Sequence, residues 1–307
     1  MKFSIIIPTY NRIDFLEKAL ESINSQTFRN YEIILVNDNP PDINKIDKLS
    51  AKFDKITVIH HAFTRGGNAA RNTGILNSDG ELIAFLDDDD IWLPAKLSEH
   101  LEVHRQHPNV GLVFSECLYV YNNPTIKDHA TSSNVPVNVI EAMRKASFCP
   151  ATSSIVSITR ECIRKCGLFD ENLTSFQDWD YWFRLAHNFE FIHISKILVH
   201  YRQHLGNRTS MNEYKREKGL KQICNKWENE IYGKAFAKTW KRILYYNNSL
   251  NALMAGKKLT ALKKSTKLLN KEVIGKRALF SFLSLWASIF FERKKQRVPN
   301  LKKLFVD

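Results

Sequence analysis

Four consecutive carboxylates, Asp87 to Asp90, follow the apolar run Leu82 to Leu86. Placed side by side they repel one another and do nothing for folding, so something cationic must offset them. Alternate residues of an extended segment point the same way, which lets Asp87 and Asp89 face one site together. Hard carboxylate oxygens at such a site suit Mg²⁺ or Mn²⁺ shared with phosphates. The bland alternative is a solvated acidic turn in which Asp90 caps the next helix. Asp38, in Val36-Asn37-Asp38-Asn39-Pro40-Pro41-Asp42, ends another apolar run and is either a further ligand or an Asx turn-former. The segment from Arg65-Gly66-Gly67-Asn68 to Arg71-Asn72-Thr73-Gly74 sets glycines and two arginines at a helix start. Backbone amides and guanidinium groups there suit a diphosphate, although the spacing is neither a P-loop nor a dinucleotide fingerprint.

A second acidic cluster is Gln177-Asp178-Trp179-Asp180-Tyr181-Trp182-Phe183-Arg184. Asp178 falls at or near the start of a helix packed through Trp182, Phe183, Leu185 and Ala186, where its ordinary use is as an N-cap worth about 1 kcal/mol. Asp180 or Arg184 could equally form a structural pair. In His200-Tyr201-Arg202-Gln203-His204, two histidines beside an arginine at a strand exit fit metal or phosphate contact as readily as a structural role.

The elements that carry these residues alternate. Phe3 to Pro8, Glu32 to Asn37, Ile56 to His60 and Leu82 to Leu86 read as strands. Helical stripes separate them: Phe15, Leu16, Ala19, Leu20 and Ile23; then Ile43, Ile46, Leu49 and Phe53; then Asn68 to Asn77. Continuous apolar runs in a βαβα order imply a mostly parallel sheet flanked by helices, with ligands at the carboxyl ends of its strands. A helix starting near Pro94, strands at Val110 to Phe114, Val156 to Ile158, Phe191 to Ile194 and Ile197 to Tyr201, and a polar loop or flap over 122 to 136 complete this part. From Met211 onward only Lys-rich helical patterns are expected.

Charge divides at the same place. The chain has 307 residues, 45 Lys and Arg against 32 Asp and Glu, and a net charge of +13. Residues 1–210 hold 22 basic and 25 acidic side chains, a net of −3, whereas residues 211–307 hold 23 and 7, a net of +16. Two regions follow: an α/β domain, 1–210, and a basic helical C-terminal region, 211–307. The five cysteines are scattered without a C-x-x-C pair, which fits a reducing compartment. No signal peptide is read at the N-terminus. The longest apolar run, Ala278 to Phe291, has 14 residues and falls short of the roughly 20 that cross a bilayer.

Taken together, Ser4-Ile5-Ile6-Ile7-Pro8-Thr9-Tyr10-Asn11-Arg12, Asp38, Ala70-Arg71-Asn72 before Gly74, Asp87-x-Asp89-Asp90, and Gln177-Asp178 with Arg184 resemble family 2 glycosyltransferases of the GT-A fold. The order and spacing extend over roughly residues 3 to 210. The resemblance implies a single Rossmann-like sheet and an inverting transfer of a sugar from a nucleoside diphosphate sugar, UDP favoured, to a hydroxyl of a glycan acceptor, lipid-linked in surface polysaccharide synthesis. By it, Pro8, Thr9, Tyr10 and Arg12 line the base and ribose pocket and Asp38 accepts from the base N–H. Asp87 and Asp89 hold a divalent cation, Mn²⁺ or Mg²⁺, joined by His204, while Arg71 and Asp88 lie by the nucleotide. Asp178 is the catalytic base, with Gln177, Trp179, Asp180 and Arg184 as acceptor or supporting residues. Two departures are Asn37-Asp38-Asn39, which keeps only the second of two frequent aspartates, and Gln177, where Glu is common.

In the tail, Arg277, Ser281, Ser284, Ser288, Glu292 and Lys295 form one polar stripe beside Leu279, Phe280, Phe282, Leu283, Trp286, Ile289 and Phe290. With its flanking cations this resembles an interfacial helix on anionic lipid, placing a cytoplasmic enzyme at the inner face of the cell membrane. Packing on the catalytic domain or on a second subunit of a homodimer is the alternative. A polyprenyl-phosphate sugar synthase is the competing activity within the family. A nucleic-acid-binding protein is disfavoured, because the tail's aromatic residues are not interleaved with its basic ones and an acidic cleft repels phosphate backbones.

Overall fold

The computed structural model describes residues 1–121, 126–131, 134–204 and 212–270, with 279, 282–283 and 296–297. The chain opens with β1 (Phe3–Thr9), in which Phe3, Ile5, Ile6 and Ile7 are fully buried. In α1 (Ile13–Asn24), Leu16, Ala19, Leu20 and Ile23 form the buried stripe that the spacing predicts. β2 (Tyr31–Asn37), α2 (Ile43–Ser50), β3 (Ile56–His60), α3 (Gly67–Leu76) and β4 (Leu82–Phe85) continue the alternation. Next come β5 (Ile91–Trp92), α4 (Lys96–Gln106), β6 (Val110–Tyr121), β7 (Ile126–Lys127), β8 (His129–Ala130) and α5 (Val139–Arg144). β9 (Val156–Thr159), α6 (Arg160–Cys166), α7 (Gln177–Ala186) and β10 (Glu190–Gln203) precede three helices, α8 (Glu213–Lys226), α9 (Gly233–Met254) and α10 (Lys258–Ser265). A two-residue β11 (Gln296–Arg297) pairs with β7.

Among the described residues nine strands form one sheet, ordered β3-β2-β1-β4-β9-β6-β10-β5, with β8 on β6. β3, β2, β1 and β4 are parallel to one another. β9 is antiparallel to both β4 and β6, and β6 is parallel to β10. β6 and β10 therefore run the same way as β1, so the carboxyl ends of β1, β2, β4 and β10 share one edge. The chain order reverses at β1, which has β2 on one side and β4 on the other, and ligands of open α/β sheets bind beside that point. All the acidic segments singled out in the first half of the sequence leave the sheet there.

Helix α3 packs closely on β1: a Cβ on Gly74 would lie 2.4 Å from Ile6 Cγ2, so only glycine lets the helix sit this near. That approach fixes Arg71, one turn earlier, over the strand ends.

Several elements differ from the sequence expectation for identifiable reasons. β6 continues past Phe114 to Tyr121 because Glu116, buried mid-strand, is paired with His193 of β10 at 2.9 Å. The two strands expected at 191–194 and 197–201 are one strand, β10, with a register shift between Ile194 and Ile197 where Ser195 and Lys196 face solvent. In the expected flap, β8 pairs antiparallel with Leu118 and Tyr119. α4 starts at Lys96 with Ala95 as its N-cap, so Asp90 caps no helix.

Beyond residue 211, Leu220, Ile223, Phe236, Trp240 and Ile243 join the same buried cluster as the sheet. Most of the amphipathic stripe expected from Arg277 to Lys295 lies outside the described residues; of those described, Phe282 packs against the same core while Leu279 and Leu283 are exposed.

Candidate functional site

The chain itself supplies much of the charge that the four aspartates require. Asp87 is paired with Arg71 Nη2 at 2.5 Å, and its backbone N–H donates to Ser154 Oγ. Asp88 accepts from Thr9 Oγ1 (2.9 Å), the Tyr10 N–H (3.2 Å) and Arg12 Nη1 (2.7 Å). Asp89 is held by Arg12 Nη1 at 2.9 Å and by His204 Nε2 at 3.0 Å. Arg202 donates its backbone N–H to Asp90 Oδ1 and its Nε to the Asp89 carbonyl. Burial opposes the charges of Arg12 and Arg71, but the aspartates outweigh it and hold both guanidinium groups above their ordinary pKa. Burial pushes Asp88 up to about 6, with Arg12 opposing and Asp89 reinforcing the rise.

Asp38 closes the neighbouring loop. Its carboxylate accepts from the N–H groups of Arg65 (2.8 Å) and Gly66 (2.7 Å), and His61 Nδ1 lies 2.8 Å away. Gly66, at φ +97°, is the N-cap of α3, a backbone conformation that glycine alone adopts without strain. Asp38 thus anchors the entry to the helix that carries Arg71 while still lining the cavity.

Asp178 reaches the same cavity from α7. The helix begins at Gln177 after Phe176, a left-handed residue at φ +63° that makes no side-chain cap. Asp178 therefore lies inside the first turn, and N-capping does not account for it. Among the described residues its Oδ1 is buried without a hydrogen-bond partner. Burial raises it to about 6, with Arg71 opposing and Asp87 reinforcing. Two residues on, Asp180 is sealed in a structural role. It meets Arg184 Nε at 3.2 Å, Lys226 Nζ at 3.0 Å and Trp227 Nε1 at 2.9 Å, tying α7 to α8. Arg184 also donates to the carbonyls of Cys166 and Leu168.

One cavity of about 840 Å³ gathers Pro8, Tyr10, Arg12, Asp38, Arg71, Asp87, Asp88, Asp89, Gln177, Asp178 and Trp179. Thr9 and His204 stand behind that lining, each bonded to one of its aspartates, whereas Asp180 and Arg184 face away from it. The rest of the lining was not foreseen. It includes Tyr119 and Tyr121 of β6, His129 of β8, Phe148, Tyr201, and Lys215, Arg216, Trp240 and Asn247 of α8 and α9. The only signal for it in the sequence is a set of aromatic residues with no local partner, and chain pattern alone does not place α9 against α7.

The acidic cluster fits a divalent cation. Asp87, Asp89 and Asp90 each offer an oxygen, all lying within 4.8 Å of one another, and a hard oxygen set of this kind is what Mg²⁺ or Mn²⁺ takes. Asp90 joins the pair expected from alternation because the chain turns after Asp87, whose carbonyl accepts the Asp90 N–H.

Residues 4–156 match the family model described as glycosyl transferase family 2. These residues belong to that family. It is 32% identical over 243 residues to an uncharacterized glycosyltransferase of Rickettsia bellii, covering 77% of this chain and 34% of the relative. The chain thus spans about a third of the length of the first curated relatives it matches. Over 120 residues, 38% of each protein, it is 37% identical to the GalNAc(5)-diNAcBac-PP-undecaprenol beta-1,3-glucosyltransferase of Campylobacter jejuni. Among solved structures it resembles S. aureus TarS in complex with UDP-GlcNAc, with TM-score 0.57, 16% identity and coverage of 94% and 87% of the two chains. It also resembles the mannosyltransferase PcManGT of Pyrobaculum calidifontis in complex with GDP-Man and Mn2+, with TM-score 0.57, 13% identity and coverage of 95% and 88%. The fold is GT-A.

Proposed function

We propose that the chain is a metal-dependent inverting glycosyltransferase that moves a sugar from a nucleoside diphosphate sugar to a hydroxyl of a glycan acceptor. The observation that carries this reading is a single cavity in which Asp178 lies within the charge field of Arg71 and Asp87, beside the Asp87, Asp89 and Asp90 cluster. A cation bound to those three carboxylates supplies Lewis-acid stabilisation of the leaving diphosphate. Arg71, already oriented by Asp87, adds a positive charge on the same side. Asp178 removes the proton from the attacking hydroxyl. Its value near 6 keeps it ionised at neutral pH yet more basic than an ordinary aspartate. Pro8, Tyr10, Arg12 and Asp38 take the base and ribose, with Thr9 and Asp88 setting that loop.

UDP is favoured by the TarS complex, a lipid-linked acceptor by the Campylobacter relative's name, and Mn²⁺ by the PcManGT complex. In this reading residues 1–210 carry the chemistry. The basic, amphipathic pattern of residues 276–307 holds the enzyme at the inner face of the membrane, where surface polysaccharides are built on lipid carriers. The test is a panel of UDP-, GDP- and dTDP-sugars with Mn²⁺, followed by thermal shift and release of nucleoside diphosphate. One donor should stabilise the protein and be turned over, and EDTA should abolish turnover. No binding of any donor, or full activity in EDTA, overturns the proposal.

A further inference from the structure

Three arginines line the cavity, and they are not equivalent. Arg12 and Arg71, on the acidic wall, are each locked to aspartates at 2.9 Å or less. The side chain of Arg216, on α8, makes no hydrogen bond or ion pair with any described residue. Its Nε is buried without a partner and its guanidinium carbon sits 5.8 Å above the Phe176 ring. Lys215 beside it also lines the cavity, and no described carboxylate reaches its ammonium group. The nearby acid Glu213 is turned away, held by Lys264 and Lys267. Withdrawing a guanidinium from water without a counter-charge costs stability, and burial lowers the pKa of Arg216, with only the hydroxyl of Tyr201 opposing. A bound anion removes that cost.

The position of Arg216 indicates which anion. It packs on Phe176, the residue before Gln177 and Asp178, and Trp240 meets the same ring edge-on at 4.8 Å. Arg216 thus stands beside the segment that carries the proposed base, on a helix separate from the elements that carry Asp87 and Asp89. In the lining of the same cavity, His129 stacks on Tyr119 at 4.8 Å and on Tyr121 at 5.7 Å, giving flat apolar surface suited to a sugar face. The geometry points to an acceptor subsite in which Arg216 and Lys215 bind a phosphate or diphosphate carried by the acceptor, beside an aromatic wall that takes its sugar. The inference rests on the glycosyltransferase reading above and adds the chemical class of the acceptor.

Two sources supply such a group: a polyprenyl diphosphate carrier or a phosphate within a soluble glycan. The full chain, saturated with UDP and Mn²⁺, is titrated by calorimetry with inorganic pyrophosphate and with farnesyl diphosphate, alongside Arg216→Gln and Arg216→Lys. The expected result is binding of both probes to the UDP-loaded protein, weakened about 10- to 100-fold by Arg216→Gln and partly restored by Arg216→Lys, with UDP affinity unchanged. Farnesyl diphosphate binding much tighter than pyrophosphate identifies a lipid carrier, and equal affinities identify a soluble phosphoglycan; both support the subsite. Loss of UDP affinity in Arg216→Gln assigns the arginine to the donor and overturns the inference, as does equal probe binding by wild type and variant. Failure of any nucleotide to bind with Mn²⁺ instead sinks the glycosyltransferase reading.

Discussion

Replacing Asp178 with asparagine should make the protein more stable and far less active. The side chain is nearly isosteric and Asp178 Oδ1 accepts no hydrogen bond, so no native bond is lost. What disappears is a buried charge whose pKa rises from 3.8 to about 6 on folding. At about 1.4 kcal/mol for each pH unit, that rise corresponds to at most about 3 kcal/mol, and the opening to the cavity brings it to about 1–3 kcal/mol. The sign is fixed: the folded value exceeds the unfolded one, so the penalty is complete above about pH 6 and fades toward about pH 4. Thermal unfolding should therefore show Asp178→Asn melting several degrees higher at neutral pH and level with wild type near pH 4. Turnover should fall by about 10²- to 10⁴-fold with donor binding retained. Full turnover would refute the base assignment, and an unchanged or lower melting temperature at neutral pH would refute the argument from burial.

The carboxylate two residues away should behave in the opposite way. Asp180→Asn weakens the contacts of Arg184, Lys226 and Trp227 with α7, while Lys226 keeps Asp170 at 2.6 Å, and should destabilise the fold by about 1–3 kcal/mol, with nucleotide affinity intact in the folded fraction; denaturant titration with nucleotide binding measures both. Acid should act on the basic cluster in which His100 Nδ1 and His104 Nε2 meet Ser157 Oγ at 2.7 and 2.9 Å, beside buried Lys96. Burial holds His104 down to about 3, so the unfolded chain gains a proton first as pH falls below about 6.5. His104→Gln should gain on wild type by about 1.4 kcal/mol per pH unit lost in that window, read from paired melting curves.

Much of this was legible in the residues because the informative segments are local. Continuous isoleucine and leucine runs disclose strands buried on both faces, and a parallel order sends Asp38, Asp87 and the Pro8 to Arg12 segment to one edge. What escaped depends on contacts distant in sequence. The continuation of β6 through Ser115 and Glu116 brings a buried glutamate against His193, 77 residues later in the chain, at 2.9 Å. Whether Asp178 or Asp180 faces the cavity is a matter of two residues in helical phase, and Lys226 and Trp227 at the end of α8 decide it. The offsetting of four aspartates by Arg12, Arg71 and Arg202 draws on three separate elements.

The wall formed by α8 and α9 gives the cavity a mixed ancestry within its own chain. Asp38 and Asp87 to Asp89 fall inside the stretch that matches the family model, while Asp178, Lys215, Arg216, Trp240 and Asn247 come from beyond it. On the proposed acceptor subsite, exchanging residues 212–254 with a relative should change acceptor preference and spare nucleotide binding, whereas ending the chain at 210 would strip Trp179 and Phe183 of Phe236 and Trp227 and open that side of the cavity.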